Sequence, residues 1–334
     1  MQRIAITGSS GYLGGKLIAA LRTRYPAARI LGLDIRSSKN IVPDEFVELD
    51  IRGPKVAEAL NQFQPDTVIH AAYVFQPSHD DRQMRSVNVE GCQNLLKAVA
   101  TSRPRRLLVV SSATAFGAWP DNPIPIPEDW PVRGRPEFRY AADKVEVERL
   151  AAEFGKSHPD IAVSWVRPAV IMGPKMENYI QRFIFSMPIM IKLDGYDAPL
   201  QFVHEDDVSG AILEVLANDG RGGFNIGPED AITITEIAAA TNRRCISMPF
   251  WLARFFASLA WFVRLPIHEF PAGFLYFARY PWVVASDRLR DELGFRFQYS
   301  SRQTFDEYLA QQSTSAGGQA KATPQRQASE SSQR

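Results

Sequence analysis

The sequence predicts an α/β fold, a doubly wound parallel sheet with a smaller, mainly helical lobe toward its C-terminal end. Three observations lead there. Short β-branched runs alternate with helical patterns through the first half, a glycine-rich turn stands between the first run and the first helix, and the rhythm breaks after Pro168. Arg3–Thr7 reads as a buried strand and the stretch from about Tyr12 to Thr23 as a helix, and Ile30–Leu33 and Phe46–Leu49 repeat the strand signal. A helix over Pro54–Phe63 leads to a strand at Thr67–His70, and a further helix runs from about Asp81 to Thr101. Leu107–Ser111 is the most apolar strand of this half, a helix starts near Phe138, and Ile161–Arg167 is another strand. Alternation at these lengths implies parallel units covered on both faces. Beyond Pro168 helices dominate, with strand candidates at Leu200–His204 and Phe224–Ile226. From Gln312 onward there is no aromatic, Leu, Ile or Val residue, so 312–334 is expected to be a disordered tail.

Composition narrows the function classes. Of 334 residues, 45% are hydrophobic, enough for a sizeable core. Lysine and arginine total 38 against 37 acidic residues, which excludes the broad basic field of a nucleic-acid binder. Cys92 and Cys245 are the only cysteines, and His70, His79, His158, His204 and His268 show no metal-ligand spacing. Neither a disulfide framework nor a metal site is expected. The N-terminus lacks an apolar stretch long enough for a signal peptide, and no run reaches the ~18 apolar residues of a membrane span. The expectation is a cytoplasmic enzyme acting on a small-molecule substrate, with a homodimer left open.

The strongest local signal is Thr7-Gly8-Ser9-Ser10-Gly11-Tyr12-Leu13-Gly14, directly between the first strand and the first helix. Glycines there permit a tight turn, a close backbone approach to a pyrophosphate, and close helix–strand contact. Phosphate would sit on the N–H groups of the helix N-terminus. Asp34 ends the second strand, where a carboxylate accepts hydrogen bonds from a ribose diol. This predicts NAD as cofactor, with NADP disfavoured because its 2′-phosphate would meet like charge. Arg36 works against that preference, since a guanidinium pairs with phosphate. A structural turn beside a solvated aspartate is the competing reading. Residues 1–168 are then mainly a dinucleotide-binding domain, and 169–311 mainly a substrate lobe interleaved with the last sheet strands.

The spacing Gly-x-x-Gly-x-x-Gly, together with Tyr140-Ala-Ala-Asp-Lys144, resembles the short-chain dehydrogenase/reductase superfamily, specifically its extended branch of NAD-dependent epimerases and dehydratases on a Rossmann fold. Further matches follow in order between Arg3 and about Leu309. They are Asp50-Ile51, His70-Ala71-Ala72-Tyr73, Asn88 to Gly91, Ser111 to Gly117, Arg167-Pro168 through Gly173-Pro174, and His204 to Val208. The resemblance implies cofactor contacts from Gly8, Ser10, Gly11, Tyr12, Leu13 and Gly14 in the turn, and from Asp34 and Arg36 beyond it. Asp50 and Ile51 would flank the adenine, and Ala71, Ala72, Tyr73, Asn88, Ser111, Tyr140, Lys144, Pro168 and Val170 would complete the cofactor site. For Asn88, bonding to backbone around the central strands is an equal alternative. Phe116 stands where many members have tyrosine, so a hydroxyl that some of them use is absent.

The chemistry follows from the residue types. Tyr140 and Lys144 are four apart on a predicted helix and share one face. A free phenol, with a pKa of ~10, is a poor base near neutrality. A neighbouring ammonium and the positive nicotinamide would lower it. Such a phenol takes a hydroxyl proton as hydride leaves the same carbon, or returns it in reduction. Ser112, at the end of the fifth strand, would hold the substrate oxygen, and the resemblance adds that Lys144 binds the nicotinamide ribose. An exposed i,i+4 pair without a role is the competing reading. His70 reads as a packed strand-end residue, and His204, beside Asp206 and Asp207, as a polar tie to the substrate lobe.

The leading function is hydride transfer between nicotinamide and a secondary alcohol or ketone, with Ser112, Tyr140 and Lys144 as the catalytic set. The alternative is a nucleotide-sugar (UDP-hexose) 4-epimerase, whose pattern Ser112-Ala113-Thr114 resembles. Sugar 4,6-dehydratases place Asp-Glu where Ala113-Thr114 stands, which disfavours elimination. A non-catalytic cofactor-sensing protein is the rival from another class. Nucleotide-sugar members carry an Arg-Asp pair before the His204 motif, and this chain has Leu200-Gln201-Phe202-Val203 there. Trp251, Phe255, Trp261, Phe270, Phe274, Tyr276 and Phe277 are expected to make the substrate pocket apolar. Trp251–Val263 forms a bulky helical stripe with Arg254, Ala257 and Ser258 opposite. The favoured reading is a helix covering the core of the substrate lobe, the alternative one lying on a membrane surface.

Overall fold

In the computed structural model the described residues are 1–38, 42–76, 79–174, 176, 184, 187–265 and 270–320, with side chains as far as Gln312. The first half runs β1 (Arg3–Thr7), α1 (Tyr12–Arg24), β2 (Arg29–Asp34), β3 (Glu45–Glu48), α2 (Lys55–Phe63), β4 (Thr67–His70), α3 (Asp81–Arg85), α4 (Gly91–Ser102), β5 (Arg106–Val110), α5 (Arg139–Ser157) and β6 (Ala162–Pro168). There follow β7 (Val170–Met172), β8 (Ile189–Leu193), β9 (Pro199–Leu200), β10 (Phe202–His204), α6 (Glu205–Ala217), β11 (Gly222–Ile226) and β12 (Ile232–Thr233). The chain closes with α7 (Ile234–Ala240), β13 (Arg244–Met248), α8 (Phe250–Phe262), α9 (Asp287–Asp291) and α10 (Ser301–Ala320).

Seven of these strands form one sheet in the order β11-β6-β5-β4-β1-β2-β3, and every neighbouring pair is parallel. The chain leaves β1 toward β2 and β3, then returns to pair β4 on β1's other side. That reversal opens a crevice beyond Thr7 and His70, where an open α/β sheet binds its ligand. Successive strand residues point to opposite faces. Ile4 and Ile6 therefore join Leu17, Leu21 and Ile212 from α1 and α6, while Ala5 joins Leu60, Leu95 and Val147 from α2, α4 and α5. A third core gathers Phe116, Phe138, Phe202, Phe277 and Phe305 beneath the C-terminal lobe.

The structure departs from the expected elements in places that matter. The helix expected from Asp81 to Thr101 is divided by a π-helical turn over Ser86–Glu90, which carries buried Asn88. Such turns insert one residue and re-aim a side chain without leaving a periodicity to read. The strand expected over Leu200–His204 breaks at Gln201 into β9 and β10. Helix α10 continues to Ala320 although a disordered tail is expected from Gln312, because helix propagation extends from the turns anchored by buried Phe305 and Tyr308. Residues 321–334 and His268 lie outside the described residues. Helix α8 meets the third core through Phe250, Ala257 and the partly buried Ala253, as a covering helix should, but most of its bulky stripe stays exposed. Among the described residues no helix is long and apolar enough to cross a membrane.

One buried ion pair joins helix α5 to the sheet. Arg167 of β6 donates from Nε and Nη2 to the Glu148 carboxylate at 2.8–3.0 Å, and both side chains are almost fully buried. Ser111, just past β5, donates its hydroxyl to the same carboxylate. Removing one member of a buried pair strands the other charge at a cost of about 3–5 kcal/mol. Glu148→Gln should therefore destabilise the fold by about that amount in denaturant unfolding, and Glu148→Leu with Arg167→Met should recover most of it. A loss under about 1 kcal/mol in the single variant would show the pair to be solvated.

Candidate active site

The glycine turn is closed by contacts that only glycine permits. Gly8 sits at φ +72°, and a Cβ there would fall 2.6 Å from the Ala71 carbonyl carbon and 2.7 Å from Ala72 N. A Cβ on Gly14 would lie 2.2 Å from the Gly8 carbonyl oxygen. Gly8, Gly14, Ala71 and Ala72 thus meet at the crevice. Gly11 caps α1 with no side-chain hydrogen bond, so the first-turn N–H groups at Tyr12, Leu13 and Gly14 suit a phosphate. Asp34 accepts from Ser10 N at 3.0 Å and Ile35 N at 2.7 Å, and Ser10 Oγ donates to the Arg36 carbonyl at 2.7 Å. The carboxylate expected to face a ribose therefore also latches the turn. Backbone approach and N–H groups are what a dinucleotide pyrophosphate requires, and this turn fits one.

The neighbouring positions divide between site and scaffold. Asp50 is held by the Arg52 guanidinium, which keeps its carboxyl below the ordinary range, and Ile51 is buried against Gly91. His70 shares a 2.7 Å hydrogen bond with Thr7 Oγ1, and burial pushes it down to about 3, so it stays neutral. Asn88 clamps one residue's backbone, accepting from Val74 N at 2.8 Å and donating to Val74 O at 3.0 Å. Its amide thus steadies the loop after β4, the backbone-bonding alternative of the sequence reading. The Ser111 hydroxyl is engaged by Glu148. Pro168 ends β6 and Val170 opens β7, both at the crevice end of the sheet. His204 accepts from Asp206 N at 3.2 Å, stacks on Tyr299 at 4.0 Å, and lies 3.2 Å from Glu307 of α10.

Ser112, Tyr140 and Lys144 converge beyond β5. Ser112 caps a 3₁₀ turn over Ala113–Phe116, its Oγ accepting from Thr114 N at 3.2 Å and Thr114 Oγ1 at 3.0 Å. Burial pushes the Tyr140 phenol up to about 12, and the nearby Ser112 side chain offsets part of that rise. Lys144 donates to Val110 O at 2.7 Å, and its Nζ lies 3.1 Å from the Tyr73 ring centroid and 5.5 Å from that of Tyr140. Burial pushes its ammonium down to about 7. The lowered phenol expected from the sequence is therefore not produced by the protein alone. The ammonium is directed at Tyr73 and a carbonyl, and desolvation dominates.

A cavity of about 130 Å³ opens beside Tyr140, lined among others by His79, Asp81, Met84, Phe138, Arg139 and Trp261. His79 and Trp261 stack at 3.8 Å. Of the seven aromatics expected to line a pocket, only Trp261 reaches it. Phe270, Phe274 and Phe277 pack in the third core, Tyr276 packs against it, and Trp251 and Phe255 face solvent. Sequence reasoning missed His79, Asp81 and Met84, which sit in a loop and a short helix without periodicity. It also missed Glu148, although Tyr140, Lys144 and Glu148 recur every four residues.

Residues 4–227 match the model of the NAD dependent epimerase/dehydratase family. The chain belongs to that family. An uncharacterised protein of Mycobacterium tuberculosis is 29% identical over 318 residues, covering 92% of this chain and 83% of its own length. A 3-diazoavenalumate denitrifying reductase from Streptomyces is 26% identical over 242 residues, 68% of this chain and 76% of that one. Among solved structures, a UDP-glucose-4-epimerase from Stenotrophomonas maltophila with bound NAD has a TM-score of 0.73 at 18% identity, covering 95% of this chain and all 100% of its own. An Agrobacterium tumefaciens short-chain dehydrogenase/reductase with bound NAD reaches 0.74 at 18% identity, covering 96% and 99%.

For this epimerase/dehydratase family member the position of Asp34 predicts tighter binding of NAD than of NADP. Dissociation constants for both cofactors check it, and Asp34→Ala should narrow the difference while weakening the latch on Ser10. Tighter NADP binding by the unaltered enzyme would reverse the assignment.

Proposed function

We propose that the enzyme moves a hydride between NAD and a secondary alcohol or ketone, with Tyr140 as the acid/base. The observation that carries this is the nearness of Ser112 to the Tyr140 phenol beside a cavity, with buried Lys144 one helical turn on. Bound NAD would accept or return the hydride at the substrate carbon. Residues 1–168 would mainly hold the cofactor and 169–311 mainly shape the substrate site. The backbone of the glycine turn would carry the pyrophosphate and Asp34 the adenine-side ribose. Ser112 Oγ would hold the substrate oxygen against Tyr140, so that the phenol hydroxyl gives its proton to that oxygen or takes one from it. A phenol raised to about 12 is a ready donor but a poor base. Oxidation of an alcohol therefore requires the Lys144 ammonium to turn from Tyr73 toward Tyr140, where its charge offsets the burial of a phenolate.

The substrate reading favours a weakly charged molecule. Gln201, where nucleotide-sugar members carry polar substrate contacts, is fully used inside the protein. Its amide donates to Pro228 O at 2.6 Å and Val284 O at 3.0 Å and accepts from Val284 N at 3.0 Å. The second reading, a UDP-hexose 4-epimerase, draws on Ser112-Ala113-Thr114 and on solved neighbours such as the Thermotoga maritima UDP-glucose 4-epimerase with UDP-glucose.

Tyr140→Phe should leave the melting temperature and NAD affinity nearly unchanged while lowering kcat by about 10² or more. Full activity in the purified variant would remove Tyr140 from the chemistry. Calorimetric titration with UDP and UDP-glucose in the presence of NAD should show weak binding. Micromolar affinity for either would restore the nucleotide-sugar reading.

A further inference from the structure

Helix α8 holds an apolar face in solvent. Trp251 is 70% exposed and Phe262 83%, and Phe255, Phe256, Leu259 and Val263 are exposed with them. At ~100° per residue, Trp251, Phe255, Leu259 and Phe262 fall within about 80° of one another, a single stripe along the helix. Phe256 and Val263 border it on one side, and Ser258 and Arg254 on the other. The buried Phe250 and Ala257 lie on the opposite, inward side. The sequence does not break this face with charge, as it commonly does on a solvated helix.

Charge along the segment has one sign. From Ile237 through Leu265 there is no aspartate or glutamate, and there are four arginines, at 243, 244, 254 and 264. Arg244, Arg254 and Arg264 are exposed. A second copy of the chain docked through this face would bring these guanidiniums toward their own equivalents with no carboxylate on the segment to pair them. The chain's own C-terminal segment offers nothing to bury, since it lacks Leu, Ile, Val and aromatic residues from Gln312 onward. An apolar stripe on a segment whose only charged side chains are arginines is complementary to anionic headgroups above acyl chains, although Asp194 accepts from Phe250 N at the inward start of the helix.

We infer that α8 docks the enzyme onto an anionic lipid surface. Trp251, Phe255, Leu259 and Phe262 enter the boundary between headgroups and acyl chains, and Arg244, Arg254 and Arg264 meet lipid phosphates. Tryptophan at the start of the stripe suits that boundary, where one edge of the ring is apolar and the other wet. The docking stands apart from the reaction proposed above, because none of these side chains touches Tyr140, Ser112 or the glycine turn.

Flotation of the full chain with vesicles tests it directly. The protein should float with phosphatidylcholine/phosphatidylglycerol vesicles and bind phosphatidylcholine alone at least about tenfold more weakly, with binding lost as salt is raised. Phe255→Ser with Phe262→Ser should lower vesicle binding about tenfold or more, and Arg244→Glu with Arg264→Glu should act similarly on the anionic vesicles. Both variants should keep the melting temperature and NAD affinity of the parent, which separates lost docking from lost folding. Sedimentation velocity without lipid should give the same mass for the parent and the phenylalanine variant. Binding to neither vesicle, equal binding to both, or a parent dimer that becomes a monomer in Phe255→Ser/Phe262→Ser would overturn the inference, the last by giving the face to a second copy.

Discussion

Glu148 on α5 and Arg167 on β6 are both buried, and the place of Tyr140 depends on their pairing. Withdrawing two charges from water costs several kcal/mol per ion, and the pair is favourable only when every donor and lone pair is met. Here Arg167 gives N–H groups to both carboxylate oxygens and to the Glu128 carbonyl, and Ser111 adds its hydroxyl. Tyr140, Lys144 and Glu148 recur every four residues, so they share one stripe of α5. A one-residue slip would turn that stripe by about 100° and leave a buried guanidinium unpaired. The ion pair thus fixes the helix register, and with it the meeting of Tyr140 and Ser112.

Dryness then sets the electrostatics of the site. Burial is the largest cause in every case: it holds His70 neutral, lowers the Lys144 ammonium, and raises the phenols of Tyr73 and Tyr140. All four shifts disfavour charge. In such surroundings a single cation within reach of the phenol counts for more than it would in water. Lys144 is already bonded to Val110 O and lies over Tyr73, so the protein keeps that cation close to Tyr140 without committing it. Asn88 supports this arrangement from behind, since it grips Val74, the residue after Tyr73.

The features legible in the sequence were those written in local spacing. The strand–glycine–helix turn, Asp34 at a strand end and the Tyr140–Lys144 interval each occupy a few consecutive residues, and the order of strands followed from alternation. Features set by distant partners were not legible. Nothing near Ser111 announces that its hydroxyl is taken by Glu148, and the direction of the Tyr140 shift depends on how dry the fold makes it. The π-helical turn at Asn88 hides inside a stretch that reads as one helix. For α8 the periodicity gave the stripe correctly, but which side faces the core depends on elements far away in sequence. Placing Phe250 and Ala257 inward turned the bulky face out.

Gln201 serves the second lobe as an internal tie. A polar residue between β9 and β10 could have reached a substrate, but its amide instead bridges Pro228 and Val284, tying the lobe's strands together. On the proposed function, selection of the substrate would fall to the walls of the cavity beside Tyr140. Those walls come from a loop at His79, the short helix carrying Met84, and Trp261 at the end of α8. Trp261 lies on the flank of that helix, stacked on His79, while Phe262 beside it projects to solvent. One helix therefore borders the cavity with Trp261 on its flank and carries the exposed apolar stripe on its outer side.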